Sequence, residues 1–366
     1  MKNLIYITND TWWDTDISMF PQLSEKFNID VFVNTSTVYY IKYPKKESNY
    51  VKSITEYVTN YRNRNIKKIF DSTSYFIKFF KKYKNVKGII FYVFCSDPYF
   101  NLLFLLFTPP HKVIISIHDF EEHEGTSLMA KLFKSIFYKR YNFFNFYDQN
   151  QSEKFHFCYS KKKIFSIEMP LKDFGKPKGL IKIKKKGKRI FLFFGLIEDY
   201  KRLDIFIKAA NIIDEKAHFV IAGKCNSWNK YEKLMKNKLN FSCFIEFIEN
   251  EKIPDFFSQA DFLVLPYSDV SQSGPLLIAY NYNVPIIASD NEFFSNMIID
   301  GYSGFIFKNN NMNELYNIMN SLSDISDNEY NELKTNQMKQ VKIYKEKTKI
   351  ANIMNNFIEN NRIQLR

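Results

Sequence analysis

At 366 residues the chain is long enough for two α/β domains that each bury a core. Its 52 Lys and Arg against 39 Asp and Glu give a formal charge of +13, which biases the surface toward anionic partners, although the joint abundance of Lys, Asn, Ile, Phe and Tyr is also what an AT-rich genome produces. The four cysteines (Cys95, Cys158, Cys225, Cys243) lack paired spacing, which argues against a disulfide framework or zinc site and for reduced, buried thiols.

The opening MKNLIYITND reads as a strand and a polar turn, without the apolar region of a signal peptide. Short β-branched and aromatic runs then alternate with longer amphipathic segments, the rhythm of parallel βαβ units. Strands are expected at Leu4–Thr8, Asp30–Asn34, Gly88–Phe94, Val113–His118, Phe144–Tyr147 and Ile164–Glu168. The apolar stretches Ile89–Cys95 and Leu102–Phe107 fall far short of the ~20 residues of a membrane span. A cytoplasmic protein is therefore expected, with no segment crossing a membrane.

Between Arg62 and Lys87, nine basic residues and a single acid, Asp71, interleave with Ile66, Ile69, Phe70, Phe76, Ile77, Phe79, Phe80 and Tyr83. A similar pattern runs from Leu128 to Tyr141. Such segments suit an anionic bilayer surface, on the inner face of the plasma membrane, and equally suit core helices with a solvated lysine face. No RRM, KH or OB pattern accompanies them, so nucleic acid is not an expected partner.

A lysine-rich stretch, Lys172 to Arg189, interrupts the apolar pattern and marks an inter-domain linker. The expected division is 1–171, 172–345 and a C-terminal helix at 346–366 that packs back on the first domain. Further strands are expected at Ile190–Gly195, His218–Ala222, Phe244–Phe247, Phe262–Tyr267, Pro285–Ser289 and Gly304–Phe307, with a clear amphipathic helix at Leu203–Ile213.

Two junctions in this second series carry chemistry. After Gly195, Lys201 and Arg202 fall at the start of a helix, where cations oppose the dipole unless an anion is bound. After Tyr267, the turn Ser271-Gln272-Ser273-Gly274 opens a helix whose unpaired N–H groups also point at an anion. In the first half, His118 and Asp119 end a strand, and Asn9–Asp16 (NDTWWDTD) places Asp14 and Asp16 beside two tryptophans, a pairing suited to stacking on and hydrogen-bonding a ligand, and at least equally to buried tryptophan packing with capping aspartates.

From about Ile190 to Phe307 these residues resemble the retaining glycosyltransferases of family 4. Gly195 and Lys201 match the family's G-R-x-x-x-x-K-G loop, with Leu196 in place of its arginine. His218–Gly223 resembles the second C-domain strand, and Phe247–Tyr267 the A-D-x-x-x-x-P segment. Val270 and Ile278 stand where most members hold two glutamates, and Gln272-Ser273-Gly274 resembles the Q-S-G variant.

The resemblance implies a GT-B fold, two Rossmann-like domains with parallel sheets facing across a cleft. It implies a metal-independent, hexosyltransferase-type enzyme without a cofactor. Such an enzyme would move sugar from a UDP- or GDP-sugar to a saccharide or lipid-linked saccharide in surface polysaccharide biosynthesis, with retention. Donor binding would fall to Gly195, Lys201, Arg202, Gln272, Ser273 and Gly274, catalysis to His118 and Lys201, and acceptor binding to Asp14 and Asp16. A GT-B sugar-nucleotide epimerase and a non-catalytic GT-B-like scaffold are the alternatives.

Overall fold

The computed structural model describes residues 1–36, 49–59, 66–94, 97–118, 120, 128–213, 215–270 and 272–363. Arg62, Arg64, Cys95, Asp119, the loop 121–127 and Ser271 therefore lie outside the described residues. The chain divides into two compact units, Met1–Pro170 with Lys347–Arg366, and Leu171–Glu346.

The first unit runs β1 (Lys2–Asn9), α1 (Trp13–Leu23), β2 (Phe27–Ser36), β3 (Ser53–Thr59), α2 (Ile66–Val86), β4 (Ile89–Val93) and α3 (Pro98–Phe107). It continues through β5 (Val113–Ile117), α4 (Leu128–Arg140), β6 (Phe143–Phe146), α5 (Gln149–Cys158) and β7 (Lys163–Ser166). Its seven strands are parallel, in the order β3-β2-β1-β4-β5-β6-β7. β4 and β5 are buried along their whole length, which explains their unbroken apolar sequence. β3 escapes the apolar-run pattern because it is an edge strand: Ile54 and Val58 are exposed and, among its described side chains, Tyr57 alone is buried. Tyr75, Phe76, Phe79 and Tyr83 of α2 enter an aromatic core with Tyr92, Phe100, Phe104 and Phe137, so much of that helix's aromatic content packs inward.

The second unit contains β8 (Arg189–Phe194), α6 (Leu203–Ala210), β9 (Ala217–Ala222), α7 (Trp228–Glu232), β10 (Phe241–Phe244), α8 (Ile253–Gln259) and β11 (Phe262–Leu265). There follow α9 (Gly274–Tyr282), β12 (Ile286–Ser289), α10 (Glu292–Met297), β13 (Gly304–Phe307), α11 (Met312–Ser323) and α12 (Asp327–Lys347). All six strands are parallel, in the order β10-β9-β8-β11-β12-β13. β10 begins three residues before the expected Phe244, and Phe247 is exposed beyond it. The last helix, α13 (Ile350–Asn360), belongs to the first unit, where Phe357 packs on Phe165 and Glu359 pairs with Lys2.

Both sheets thus give the α/β class expected, and in each the strand order reverses once, between β1 and β4 and between β8 and β11. Ligands of such sheets bind outside the carboxyl ends of the strands at that reversal. Two local expectations need correction. Cys158 and Cys243 are exposed and Cys225 half-buried, all with free thiols, because none lies on a fully buried strand. The lysine-rich stretch is also not a free linker. Asp255 accepts from the backbone N–H groups of Lys178, Gly179, Leu180 and Ile181, while Gln259 bonds the backbone of Ile181 and Ile183.

Burial alone would raise the Asp255 carboxyl, but these four backbone donors hold it below its usual value. A depressed carboxylate stabilises the fold above its unfolded value, and that contribution is lost as pH falls through the folded one. Asp255→Ala should cost about 2–4 kcal/mol in urea unfolding, since four backbone donors lose one acceptor. A loss under about 0.5 kcal/mol would show that the strap is held by something else.

Candidate functional site

At the reversal of the second sheet, β8 ends in Gly195, with φ +109, a conformation that disfavours any side chain. A β-carbon there would lie 3.4 Å from Pro275 Cγ and 3.6 Å from Lys201 Nζ, so the ends of β8 and the start of α9 meet at Lys201. On the other side Gly223, ending β9, approaches so closely that a β-carbon would fall 1.9 Å from the Gly195 carbonyl oxygen. The two glycines let three strand–loop junctions converge on one spot.

Lys201 closes the short turn Asp199–Lys201 and is only 8% exposed. Its ammonium makes no hydrogen bond or ion pair among the described residues, and lies 5.5 Å and 5.7 Å from the ring centres of Tyr267 and Tyr200. Burial pushes it down to about 8, against a partial opposing pull from Glu198. A cation held out of water beside aromatic faces, with Glu198 offsetting only part of the penalty, is costly, and an anion would relieve that cost.

The start of α9 adds neutral donors. Ser273 caps the helix, its hydroxyl accepting from Leu276 N–H at 3.3 Å and its carbonyl from Leu277 N–H; Pro275 has no N–H, so Gly274 carries the remaining backbone donor of this turn. The Gln272 side-chain amide nitrogen is buried and has no partner among the described residues. The loop before it is tied down on several sides. Ser268 bonds the Tyr200 carbonyl through its N–H at 2.7 Å, and Ser289 and Asn291 donate to the Tyr267 carbonyl. Asn309 donates to the Ser268 carbonyl.

Arg202 departs from expectation. It caps α6 in the left-handed region at φ 53, and its guanidinium is spent on Asp204 at 3.0 Å and on Asn310. Those partners, not an anion, account for a cation at this helix start. Ile278, which the sequence resemblance aligns with the second glutamate, is buried in α9.

The signal sequence reasoning missed is Lys172. It is 7% exposed, and a β-carbon on Gly274 would stand 3.3 Å from its Nζ. Only the folded strap brings it there: Tyr282, at the end of α9, accepts from Phe174 N–H and donates to the Gly175 carbonyl.

In the first unit, His118 follows β5 and is 7% exposed. Its ring is sandwiched between Trp12, 3.3 Å away and parallel, and Tyr147 at 4.3 Å. The sandwich fixes the ring plane and leaves only its edge for polar contacts. Asp16 is fully buried and accepts from Tyr6 at 2.6 Å and from Thr8, tying α1 to β1. It is out of reach of an acceptor, which corrects its expected role. Asp14, half-buried at the helix start, accepts from Thr15 N–H at 2.9 Å. Among the described residues no cluster of His, Cys, Asp and Glu could hold a metal ion, and no helix is long and apolar enough to cross a membrane.

Residues 180–340 match the family model described as Glycosyl transferases group 1. No curated protein matches the chain. Among solved structures, a glycosyltransferase from Rickettsia africae superposes with a TM-score of 0.68 at 14% identity, over 99% of this chain and 97% of that one. Sucrose-phosphate synthase from Thermosynechococcus elongatus gives 0.67 at 12% identity over 98% and 99% of the two chains. Anabaena HepE in complex with UDP and glucose gives 0.65 at 11%, again over 98% and 99%. At such identities the likeness is one of fold. The chain folds as a GT-B protein, and most of its second unit matches the group 1 glycosyl transferases.

Proposed function

We propose that the protein is a glycosyltransferase whose second unit binds the diphosphate of a nucleotide sugar where β8, the Lys201 turn and α9 converge. The observation that carries this is the desolvated Lys201 ammonium beside the start of α9, with no counter-ion among the described residues. As the glycosidic bond to the diphosphate breaks, negative charge builds on the leaving group. A preorganised cation and the Gly274 N–H at the start of α9 stabilise that charge without reorganising. The match to glycosyl transferases and the UDP-bound HepE neighbour support the donor class.

The finer assignment follows the sequence resemblance: a retaining, metal-independent hexosyltransferase of family 4, with the Q-S-G turn in place of the two glutamates. UDP- and GDP-sugars are the donors to test, and a saccharide or lipid-linked saccharide of surface polysaccharide assembly is the acceptor. The edge of His118 is assigned to the sugar and acceptor, with Asp14, two residues after the Trp12 that stacks on His118; Asp16 is left out as structural. A non-catalytic scaffold is disfavoured, because it would retain a destabilising buried cation to no purpose.

The acceptor class motivates a membrane assignment. α3 lies between α2 and α4, and the three expose Phe70, Ile77, Leu102, Leu106, Phe107, Leu128 and Leu132. Lys78, Lys81, Lys84 and Lys131 are exposed on the same helices. Exposed apolar side chains with exposed lysines on the same helices suit an anionic bilayer surface, and on that reading the protein is peripheral on the inner face of the plasma membrane.

Two outcomes are expected. Lys201→Met should lower turnover at least about 100-fold, the scale of losing one preorganised oxyanion partner. The same variant should be no less stable than wild type. The Lys201 penalty, on the order of 3 kcal/mol at most, is fully present below about pH 8 and is relieved as pH rises toward its ordinary value near 10.5. Urea unfolding should therefore show Lys201→Met ahead of wild type at neutral pH, with the gap closing in alkali. Near-normal transfer by this variant would sink the donor assignment. For the membrane surface, co-sedimentation should favour phosphatidylglycerol vesicles over phosphatidylcholine, and Phe70→Ser with Leu106→Ser should abolish the preference. Equal absence of binding to both vesicle types would dispose of it.

A further inference from the structure

We infer that the lysine strap at residues 181–186 is a track for a linear polyanion of the kind an acidic polysaccharide presents. This rests on the acceptor class read above and assigns residues that the donor site does not use.

From Lys172 to Arg189 the chain holds nine basic residues and one acid, Asp173. The fold sorts the cations by position. Ile181 N–H donates to Asp255 at 3.0 Å, the Ile181 carbonyl accepts from Gln259 at 2.9 Å, and Ile183 N–H donates to the same Gln259 at 3.1 Å. Lys185 reaches Asp261 at 3.3 Å. Positions 181, 183 and 185 are thus tied to α8 and the residue before β11, the alternation of an extended chain. The intervening Lys182, Lys184 and Lys186 are exposed and make no hydrogen bond or ion pair among the described residues. Two residues of extended chain advance about 7 Å, so these three cations form a row whose backbone is held in place.

Electrostatics supplies the partner. Like charges held in line repel one another, and negative charges strung along a line remove that repulsion without ordering the backbone further. Lysines act as rotatable point charges, which suits anionic groups at variable spacing on a flexible chain. Single-stranded nucleic acid is held by aromatic faces on which bases stack, and residues 180–189 contain no aromatic side chain. A bilayer offers a plane of charge that also takes up apolar side chains, which suits α2, α3 and α4 better than a single row. An acidic polysaccharide held on the strap would stay at a high effective concentration beside the enzyme that extends it.

The probe is polygalacturonate, a carboxylated polysaccharide, with neutral dextran beside it, titrated into the full chain at about 20 mM salt, where screening is weak. Wild type should bind polygalacturonate and not dextran, and should lose at least about tenfold in affinity at about 200 mM salt. Lys182→Gln with Lys184→Gln and Lys186→Gln should weaken binding at least about tenfold, since each lysine near an anionic array is worth roughly fivefold. A control with the same charge change on exposed lysines elsewhere in this unit, Lys233→Gln with Lys236→Gln and Lys342→Gln, should stay within about threefold of wild type. Lys184→Gln alone should cost roughly fivefold, and this single exposed change carries the test should the triple variant misfold. Equal losses in strap and control variants would reduce the effect to net charge and overturn the track, as would failure of wild type to bind polygalacturonate. Tighter binding of oligothymidylate than of polygalacturonate overturns it in favour of nucleic acid, and a strap-dependent loss confined to phosphatidylglycerol vesicles overturns it in favour of the bilayer. UDP and GDP titrated into the same samples report on the donor site separately: nucleotide binding without polygalacturonate binding sinks the track alone.

Discussion

A positive charge kept out of water organises the second unit. Lys201 is buried between two tyrosine rings with no counter-ion among the described residues, and its position is set by how tightly three strand ends converge. Gly195 tolerates that convergence through its positive φ, and Gly223 through the absence of a β-carbon. The neighbouring loop cannot relax away, because the Tyr200 carbonyl accepts from its Ser268 N–H while Ser289, Asn291 and Asn309 donate to its carbonyls from two other strand ends. A rigid frame that holds an uncompensated cation is suited to charge that appears only in a transition state.

The first unit uses different physics. His118 is positioned by stacking between Trp12 and Tyr147, so the carboxyl ends of β1, β5 and β6 cooperate through aromatic faces. The carboxylate that sequence placed beside it, Asp16, instead stabilises the scaffold through Tyr6 and Thr8. Trp12 takes a stacking role, but toward His118. Anion chemistry thus concentrates in the second unit, and the first offers a flat, aromatic-lined histidine edge.

Much of this was legible in the residues. The parallel βαβ rhythm, most strands within a residue or two, and the helix opening after Gln272-Ser273-Gly274 follow from apolar periodicity and from capping chemistry. What stayed hidden depends on long-range contacts. Arg202 looked like an anion ligand, although Asp204 two positions on holds its guanidinium, and its other partner, Asn310, lies 108 positions away. Asp16 looked available because its burial comes from packing against β1. β3 was invisible because an edge strand need bury only one of its side chains, Tyr57. Lys172 sat in a run that read as linker, and the bonds from Tyr282 and Asp255 across 74–108 positions hold that run against α8 and α9.

The central claim is that a diphosphate restores the proton that burial draws from Lys201. The most direct measurement is calorimetric titration of a nucleoside diphosphate at about pH 8.5 in two buffers of different ionisation enthalpy. With Lys201 near 8 in the free protein, roughly 0.7 proton should be taken up per ligand bound, and none by Lys201→Met. Binding by wild type with no proton uptake would contradict the account, because the ligand would then lie elsewhere than against Lys201.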